Sequence, residues 1–275
     1  MAVMEGEVAV RLETSRLGGT LAAEVRGVDL NKIDDAIFAA IRAAWLEHHV
    51  LVLRDQEVTP AALAEFAARF GPMNVFPKVK GEDAARSKEH DDVIVIRNVG
   101  IARAYTGIWH SDASSWQEPP ATTVLCARKL PPVGGDTSFA NQHLAYETLS
   151  EGMKRMLLGL KAVHHKEYQG HNRKYAVHPV VRKHPVTGRL ALYVNSSFVT
   201  HIEGMTAEES APILRFLYEH MTRAEFCYRH RWHMGDVLLW DNRSVLHRAT
   251  HDYGDDPEAR VMHHLESGCE PVMAA

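Results

Sequence analysis

The sequence predicts a mixed, β-dominated fold: one antiparallel barrel or jelly roll carrying a few flanking helices. Three observations point there. Short apolar segments of strand length recur along most of the 275 residues, with turn-forming residues between them. Only a handful of stretches have helical spacing and a cap. No repeat, low-complexity tract or long linker divides the chain, so residues 1–275 read as a single domain.

The elements follow in order. Over 35–48 the apolar residues Ile37, Ile41, Ala44 and Leu46 recur at roughly helical spacing. The apolar strand VLVLRD (50–55) comes next. Thr59 at the N-cap and Pro60 at the first helical position then open a second helix that stops before Gly71. DVIVIRN (92–98) is a strand, and 99–120, with its Gly, Ser and Pro-Pro, reads as a loop around a short central piece. Strands at 122–128 and 136–140 precede a helical region at 141–160. Residues 178–195 form a hairpin with Thr187-Gly188 at its turn. Thr206, with Glu209 three positions on, makes a capping box for a helix over 206–221. The remainder is strand: AEFCYRHRW, GDVLLWDN, VLHRAT and ARVMHHLE.

Composition removes several function classes. With 45% hydrophobic and 24% charged residues the chain suits a globular domain, and a formal net charge of −4 offers no basic footprint for nucleic acid. No apolar run reaches the length needed to cross a membrane, and no basic segment followed by an apolar core opens the chain. Three scattered cysteines, Cys126, Cys227 and Cys269, suit a reduced compartment, so the expected location is the cytoplasm. The expected partner is a small molecule, bound by the chain alone or by a homo-oligomer (dimer or tetramer). Nucleotide-binding glycine motifs, a Gly-x-Ser-x-Gly elbow, His-Glu-x-x-His and Cys-x-x-Cys are all missing. Gly134-Gly135 lacks the strand-to-helix context of a phosphate loop and reads as a turn.

Eighteen histidines make metal chemistry the remaining candidate. Most of them are expected to be bland, with pairs such as His48-His49 and His164-His165 at helix ends or on exposed strands. Five His-x-Asp/Glu triplets begin at His90, His110, His165, His201 and His264. Residues two apart on an extended segment share a face, so either ligand of such a triplet can reach one ion. Only His110-Ser111-Asp112 follows a bulky apolar residue, Trp109, at a loop–strand junction. A third ligand is available downstream at His247, after an apolar strand and a polar corner. Two histidines and one carboxylate on one face suit non-heme Fe(II) with three open positions, although zinc sites use similar ligands.

The chain resembles the taurine/2,4-D dioxygenase (TauD/TfdA) family of Fe(II)- and 2-oxoglutarate-dependent oxygenases. The resemblance runs through GVDL (27–30), LVLRDQEVTP (51–60), RFGP (69–72), WHSD (109–112), LPPVGGDTSFAN (130–141), GDVLLWDNRSVLHRA (235–249) and RVMH (260–263), in family order. It implies a double-stranded β-helix, Fe(II) as metal, 2-oxoglutarate as cosubstrate and O₂ as oxidant. It implies that His110, Asp112 and His247 are the catalytic iron ligands, and that Thr137 and Arg260 hold the distal carboxylate of 2-oxoglutarate. A permanently charged, bidentate arginine suits a buried carboxylate better than lysine does. Asp241, Asn242 and Arg243 either brace the corner carrying His247 or simply form its turn.

The implied reaction hydroxylates a small organic substrate and releases succinate and CO₂, with C–X cleavage where the hydroxylated carbon bears a heteroatom. The carboxylate at Asp112 favours hydroxylation over halogenation, which needs a small residue there. Phe76, Thr106, Ala113 and His264 match substrate-pocket positions. Phe76 and His264 stand where the taurine enzyme uses a histidine and an arginine to grip sulfonate. A larger, more apolar substrate than taurine is therefore expected. Two other readings remain open: a taurine or alkylsulfonate dioxygenase proper, and a metal-dependent hydrolase or lyase on the same barrel.

Overall fold

The structure, a computed structural model, describes residues 12–74, 86–97, 106–166, 174–254, 256 and 258–275. Phe76 lies outside them. The elements run β1 (Glu13–Arg16), β2 (Ala23–Arg26), α1 (Asp35–His48), β3 (Val50–Leu53), α2 (Pro60–Ala68), β4 (Ile94–Ile96), β5 (Thr122–Lys129) and β6 (Thr137–Asn141). They continue with α3 (Gln142–Glu147), α4 (Glu151–Leu157), β7 (Lys161–Lys166), β8 (Lys174–Pro179), β9 (Val181–Lys183), β10 (Leu190–Leu192) and β11 (Val199–Ile202). The last are α5 (Ala207–Met221), β12 (Cys227–His230), β13 (Val237–Asp241), β14 (Val245–Ala249) and β15 (Val261–Ser267).

Caps set the helix ends. The Asp34 carboxylate accepts the Ile37 amide at 2.7 Å to start α1, and His49 stops it in the left-handed region at φ 65°. Thr59 and Pro60 open α2, and Thr206 with Glu209 forms the expected capping box on α5. The helical region expected over 141–160 is two helices, because Ser150 caps a fresh start at Glu151.

Seven strands form one sheet in the order β1-β2-β3-β13-β5-β15-β4, and β12-β6-β14 form a second. Smaller sheets are β11-β7-β8 and the β9-β10 hairpin, whose turn carries Gly188 at φ 72°. Among the described residues the strand pairing is antiparallel apart from β2 with β3. That parallel pair, against the all-antiparallel expectation, exists because α1 supplies the crossover that parallel neighbours require.

Period-2 alternation explains the layering. From β3, β5 and β13, Leu51, Leu53, Val124, Cys126, Val237 and Leu239 face α1 and α2. Their sequence neighbours Val50, Val52, Leu125, Ala127, Leu238 and Trp240 face the opposite way and pack with Phe139 of β6 and Val245 of β14. Ala140 and Leu246 turn outward to a third layer with α3–α5. The space between the large sheet and β12-β6-β14 is thus lined by one alternating set of residues, and the candidate site belongs to that set.

His48 and His49 stand at the end of α1 as expected, with His49 buried as its C-cap, whereas the expectation of an exposed strand is corrected for His164, which is buried on β7. Burial pushes His49 down to about 3 and His164 well below the usual imidazole range, so both are held neutral. The three thiols are unpaired. Among the described residues no helix is long and apolar enough to cross a membrane.

Candidate metal centre

His110 sits opposite His247 as an isolated antiparallel bridge: the His110 amide donates to the His247 carbonyl at 3.0 Å, and the reverse bond is 2.8 Å. Directly opposed residues project to one face. The two rings accordingly lie 4.2 Å apart between centroids. Asp112, two residues after His110, comes to the same place, with Oδ1 3.6 Å from His110 Nε2 and 3.5 Å from His247 Nε2. One donor atom from each of the three lies within 4.8 Å of the others, a group able to hold a metal ion.

The donor chemistry fits a divalent transition metal. The Ile108 carbonyl lies 2.7 Å from His110 Nδ1 and can only accept, so Nδ1 carries the proton and the Nε2 lone pair is left for an ion. His247 Nδ1 is buried and has no hydrogen-bond partner among the described residues. Its ring is held instead by aromatic contacts to Trp240 at 4.7 Å and Phe139 at 6.1 Å. Burial alone would raise the Asp112 carboxyl, but the adjacent His247 and His110 outweigh it and hold it below the usual carboxylate range.

Asp112 Oδ2 faces away from the histidines and accepts the Thr123 hydroxyl at 2.7 Å. Asn242 donates Nδ2 to Thr123 Oγ1 at 2.8 Å, while its Oδ1 accepts Trp240 Nε1 at 3.1 Å and the Asp112 amide at 3.3 Å. Asp241 and Arg243 act elsewhere on the same corner. The guanidinium takes both carboxylate oxygens at 2.7 Å, and His184 donates Nε2 to Oδ2 at 2.9 Å. His184 Nδ1 accepts two amides of the β9–β10 turn, so the imidazole ties that hairpin to the corner carrying His247.

His110, Asp112, His247, Thr106, Thr137, Arg260 and His264 line one cavity with Ile96, Leu125, Trp240 and Ala249. Arg260 is 2% exposed, and Nη2 has no hydrogen-bond partner among the described residues. Burial pushes its guanidinium down to about 10, still charged at neutral pH. Its Nε donates to the Gly135 carbonyl at 3.0 Å, and its head lies over the Trp232 ring at 5.8 Å. Trp232 Nε1 also donates to Thr137 Oγ1 at 3.0 Å. Since an indole only donates, the Thr137 proton remains available for an acceptor in the cavity. Gly135 has φ 75°, and a Cβ there would lie 3.1 Å from Arg260 Cδ, so the glycine pair read as a turn also shapes the arginine's seat.

His264 reaches the cavity from β15, with Nε2 3.6 Å from Glu266 Oε1. Asp112, His264 and Glu266 form a second potential metal group sharing Asp112. In that group Glu266 Oε2 is already engaged by Asn74 at 2.6 Å. Thr106 bonds His251 at 2.9 Å. Ala113 is buried behind Asp112 at φ 45° and does not line the cavity. Thr123, Trp232 and Gly135 are the site residues that local pattern did not mark, although Thr123 shares its face of β5 with the cavity residue Leu125.

The model of the taurine catabolism dioxygenase TauD, TfdA family matches residues 13–265. An (S)-phenoxypropionate/alpha-ketoglutarate-dioxygenase of Sphingobium herbicidovorans is 33% identical, over 93% of this chain and 94% of its own. An alpha-ketoglutarate-dependent sulfate ester dioxygenase of Pseudomonas putida is 32% identical, over 90% and 87%. Among solved structures, a taurine dioxygenase from Burkholderia xenovorans superposes with a TM-score of 0.86 at 34% identity, over 96% of this chain and 92% of that one. A crystal structure of AAD-2 with Mn(II) and N-oxalylglycine gives 0.81 at 28%, over 96% and 100%.

Proposed function

Because the chain belongs to the TauD/TfdA family of 2-oxoglutarate-dependent dioxygenases, we propose that His110, Asp112 and His247 are its iron ligands and that Arg260 and Thr137 hold 2-oxoglutarate. The reagents of this enzyme class are Fe(II), 2-oxoglutarate and O₂. Bound together, they supply the oxidative decarboxylation of 2-oxoglutarate to succinate and CO₂ and the hydroxylation of a substrate C–H bond. We read the large sheet packed on β12-β6-β14 as the family's double-stranded β-helix, and residues 1–275 as one domain working in the cytoplasm.

One observation supports the reading most strongly: the His/Asp/His cluster and the unsatisfied Nη2 of buried Arg260 line the same cavity. An uncompensated buried guanidinium is costly unless an anion completes it. The distal carboxylate of 2-oxoglutarate is such an anion, with Arg260 as its charged partner and the Thr137 hydroxyl as a second donor. His110 Nδ1, tied to Ile108, keeps the ring oriented with Nε2 inward. Trp240 and Leu125 supply apolar walls that exclude water around the reacting groups. A hydrolase on the same barrel would have no use for the Arg260 seat.

For the substrate we propose a small organic acid with a sizeable apolar part. Ile96, Leu125 and Ala249 give the cavity apolar lining, and His264 and Thr106 give it polar tips. Curated relatives act on phenoxypropionate and sulfate esters. His264, in place of a permanently charged arginine, makes taurine a poor substrate. The family resemblance also assigns Phe76 and Ala113 to this pocket. Phe76 stays a sequence-based assignment, whereas the placement of Ala113 supports a role in shaping the turn after Asp112.

The test is succinate release from 2-oxoglutarate with Fe(II) and ascorbate across aryloxyalkanoates, sulfate esters, alkyl sulfonates and amino acids. Substrate-stimulated succinate with an aryloxyalkanoate or sulfate ester, absent in His110→Ala, is the expected result. Turnover that survives in His110→Ala would overturn the ligand assignment. Efficient taurine turnover would overturn the substrate class.

A further inference from the structure

We propose that Thr123 and Asn242 are positioning residues that make Asp112 a one-oxygen ligand, and so decide how many places at the metal the carboxylate occupies. The inference rests on the ligand reading above and extends it to residues that never touch the ion.

The hydrogen bonds around Asp112 have a single direction. Trp240 Nε1 can only donate, so the atom of Asn242 facing it at 3.1 Å is the carbonyl Oδ1. Nδ2 of Asn242 therefore points to Thr123 Oγ1 at 2.8 Å. With that lone pair engaged, Thr123 gives its only proton to Asp112 Oδ2 at 2.7 Å. An ionised carboxylate only accepts, which closes the chain. Thr123 and Asn242 are buried and Asp112 reaches the cavity from the other side, so the hydrogen bonds between Thr123, Asn242 and Asp112 Oδ2 are shielded on the β5 side.

The chain separates the two oxygens of Asp112. Oδ2 is occupied from the β5 side, whereas Oδ1 faces both imidazole Nε2 atoms at 3.5 and 3.6 Å. The Asp112 amide, donating to the same Asn242 Oδ1 at 3.3 Å, anchors the backbone as well as the side chain. A carboxylate that rotated to turn Oδ2 toward the histidines would strain the Thr123 bond, and breaking it would leave a buried hydroxyl without its acceptor. A chelating cosubstrate and O₂ together need three places, which two histidines and a one-oxygen carboxylate leave open.

The experiment is Co(II) titration of the metal-free full-length chain, reading affinity and the intensity of the visible d–d bands. The series is Thr123→Ser, Thr123→Cys and Thr123→Val, with metal-free melting temperatures recorded in parallel. Thr123→Ser keeps the donor and should match wild type in affinity and spectrum. Thr123→Cys, with a weak donor, should fall between. Thr123→Val, isosteric but without a proton to give, should bind about 10–100-fold more weakly and show altered band intensity. A purely structural role would lower the melting temperature of Thr123→Val and leave its Co(II) spectrum unchanged, which would overturn the proposal. If Thr123→Val does not fold, a wild-type spectrum and affinity in Thr123→Cys overturns it equally. Asp112→Ala separates the two levels. Loss of Co(II) binding there, with Thr123→Val like wild type, removes the positioning role alone. Co(II) binding that survives in Asp112→Ala removes the ligand reading, and the proposal with it.

Discussion

The outer oxygen and the backbone of Asp112 are hydrogen-bonded within the protein, whereas the guanidinium of Arg260 is left incomplete. Asp112 Oδ2 is capped by Thr123, Asn242 is engaged at both ends, and the backbone of His110 and His247 is paired in both directions. In the same cavity Arg260 spends Nε on the Gly135 carbonyl, while its buried Nη2 has no hydrogen-bond partner among the described residues; the Trp232 ring flanks its charge and Asp136 offsets part of it. The first region is preorganised, so removing a group there removes a function outright. The second is completed by what binds to it, so changes there should appear as affinity and as ligand-dependent stability.

The largest effect tests the complete side. Asp112→Ala should take iron binding and succinate release to background while keeping the fold, because both sheets are built without it. Metal analysis and circular dichroism of the purified variant check both halves of that statement, and turnover like wild type would refute it. Next comes the incomplete side. Arg260→Ala should weaken 2-oxoglutarate by about 2–5 kcal/mol, the usual loss on truncating one partner of a buried charge pair. Anaerobic titration of the metal-to-ligand charge-transfer band reads it, and an unchanged dissociation constant would take Arg260 out of the site.

The same contrast predicts stability. At a hundred times its dissociation constant, 2-oxoglutarate should add about 2.7 kcal/mol to the wild-type chain. That is a rise of about 5–11 °C in melting temperature for a chain of this size. In Arg260→Ala at the same ligand concentration the rise should fall to about a third of the wild-type value or less. An equal rise in both proteins would mean that the ligand completes some other group.

How much of this could be read in advance follows the same division. The apolar strands β3 and β13, the capped helices α1, α2 and α5, and the turn at Gly188 are local patterns, and the chain spells them out. β1, whose four residues are all exposed, carries no apolar signal, and β7 hides behind the buried His164, a residue type expected on the surface. His110, Asp112 and His247 stand out because metal ligands need particular residue types at particular spacings. Thr123 and Trp232 do not stand out. Their roles come from register, which sets Thr123 beside Trp240 and Thr137 beside His230, and register is a property of the assembled sheets. Gly135 looked like a turn residue and is one, but its second role needed Arg260 to arrive from 125 residues away.

Gly135→Ala probes that second role at smaller cost. A left-handed alanine loses about 1–2 kcal/mol, and the new Cβ 3.1 Å from Arg260 Cδ must push the guanidinium aside. The melting temperature should fall by about 2–8 °C at 2–4 °C per kcal/mol. The KM for 2-oxoglutarate should rise while Co(II) affinity stays unchanged. A rise in the KM for the organic substrate alone would place Gly135 beside a different ligand.

The smallest effect lies just behind Asp112. Ala113 holds φ 45°, in the left-handed region that glycine visits freely and alanine does not. Ala113→Gly removes that penalty, about 1–2 kcal/mol, but adds about 0.4–1 kcal/mol of chain entropy to the unfolded state. The net expectation is a stabilisation of about 0–1.6 kcal/mol, a rise of up to about 6 °C. The measurement also separates two roles for this residue. Ala113 is buried and does not line the cavity, so a turn-shaping role moves the melting temperature and leaves the substrate KM in place. A substrate contact would do the reverse, because deleting the methyl group would change the pocket wall and not the strain. An unchanged melting temperature with a shifted KM would move Ala113 from the supporting turn to the substrate pocket, where the sequence alone had put it.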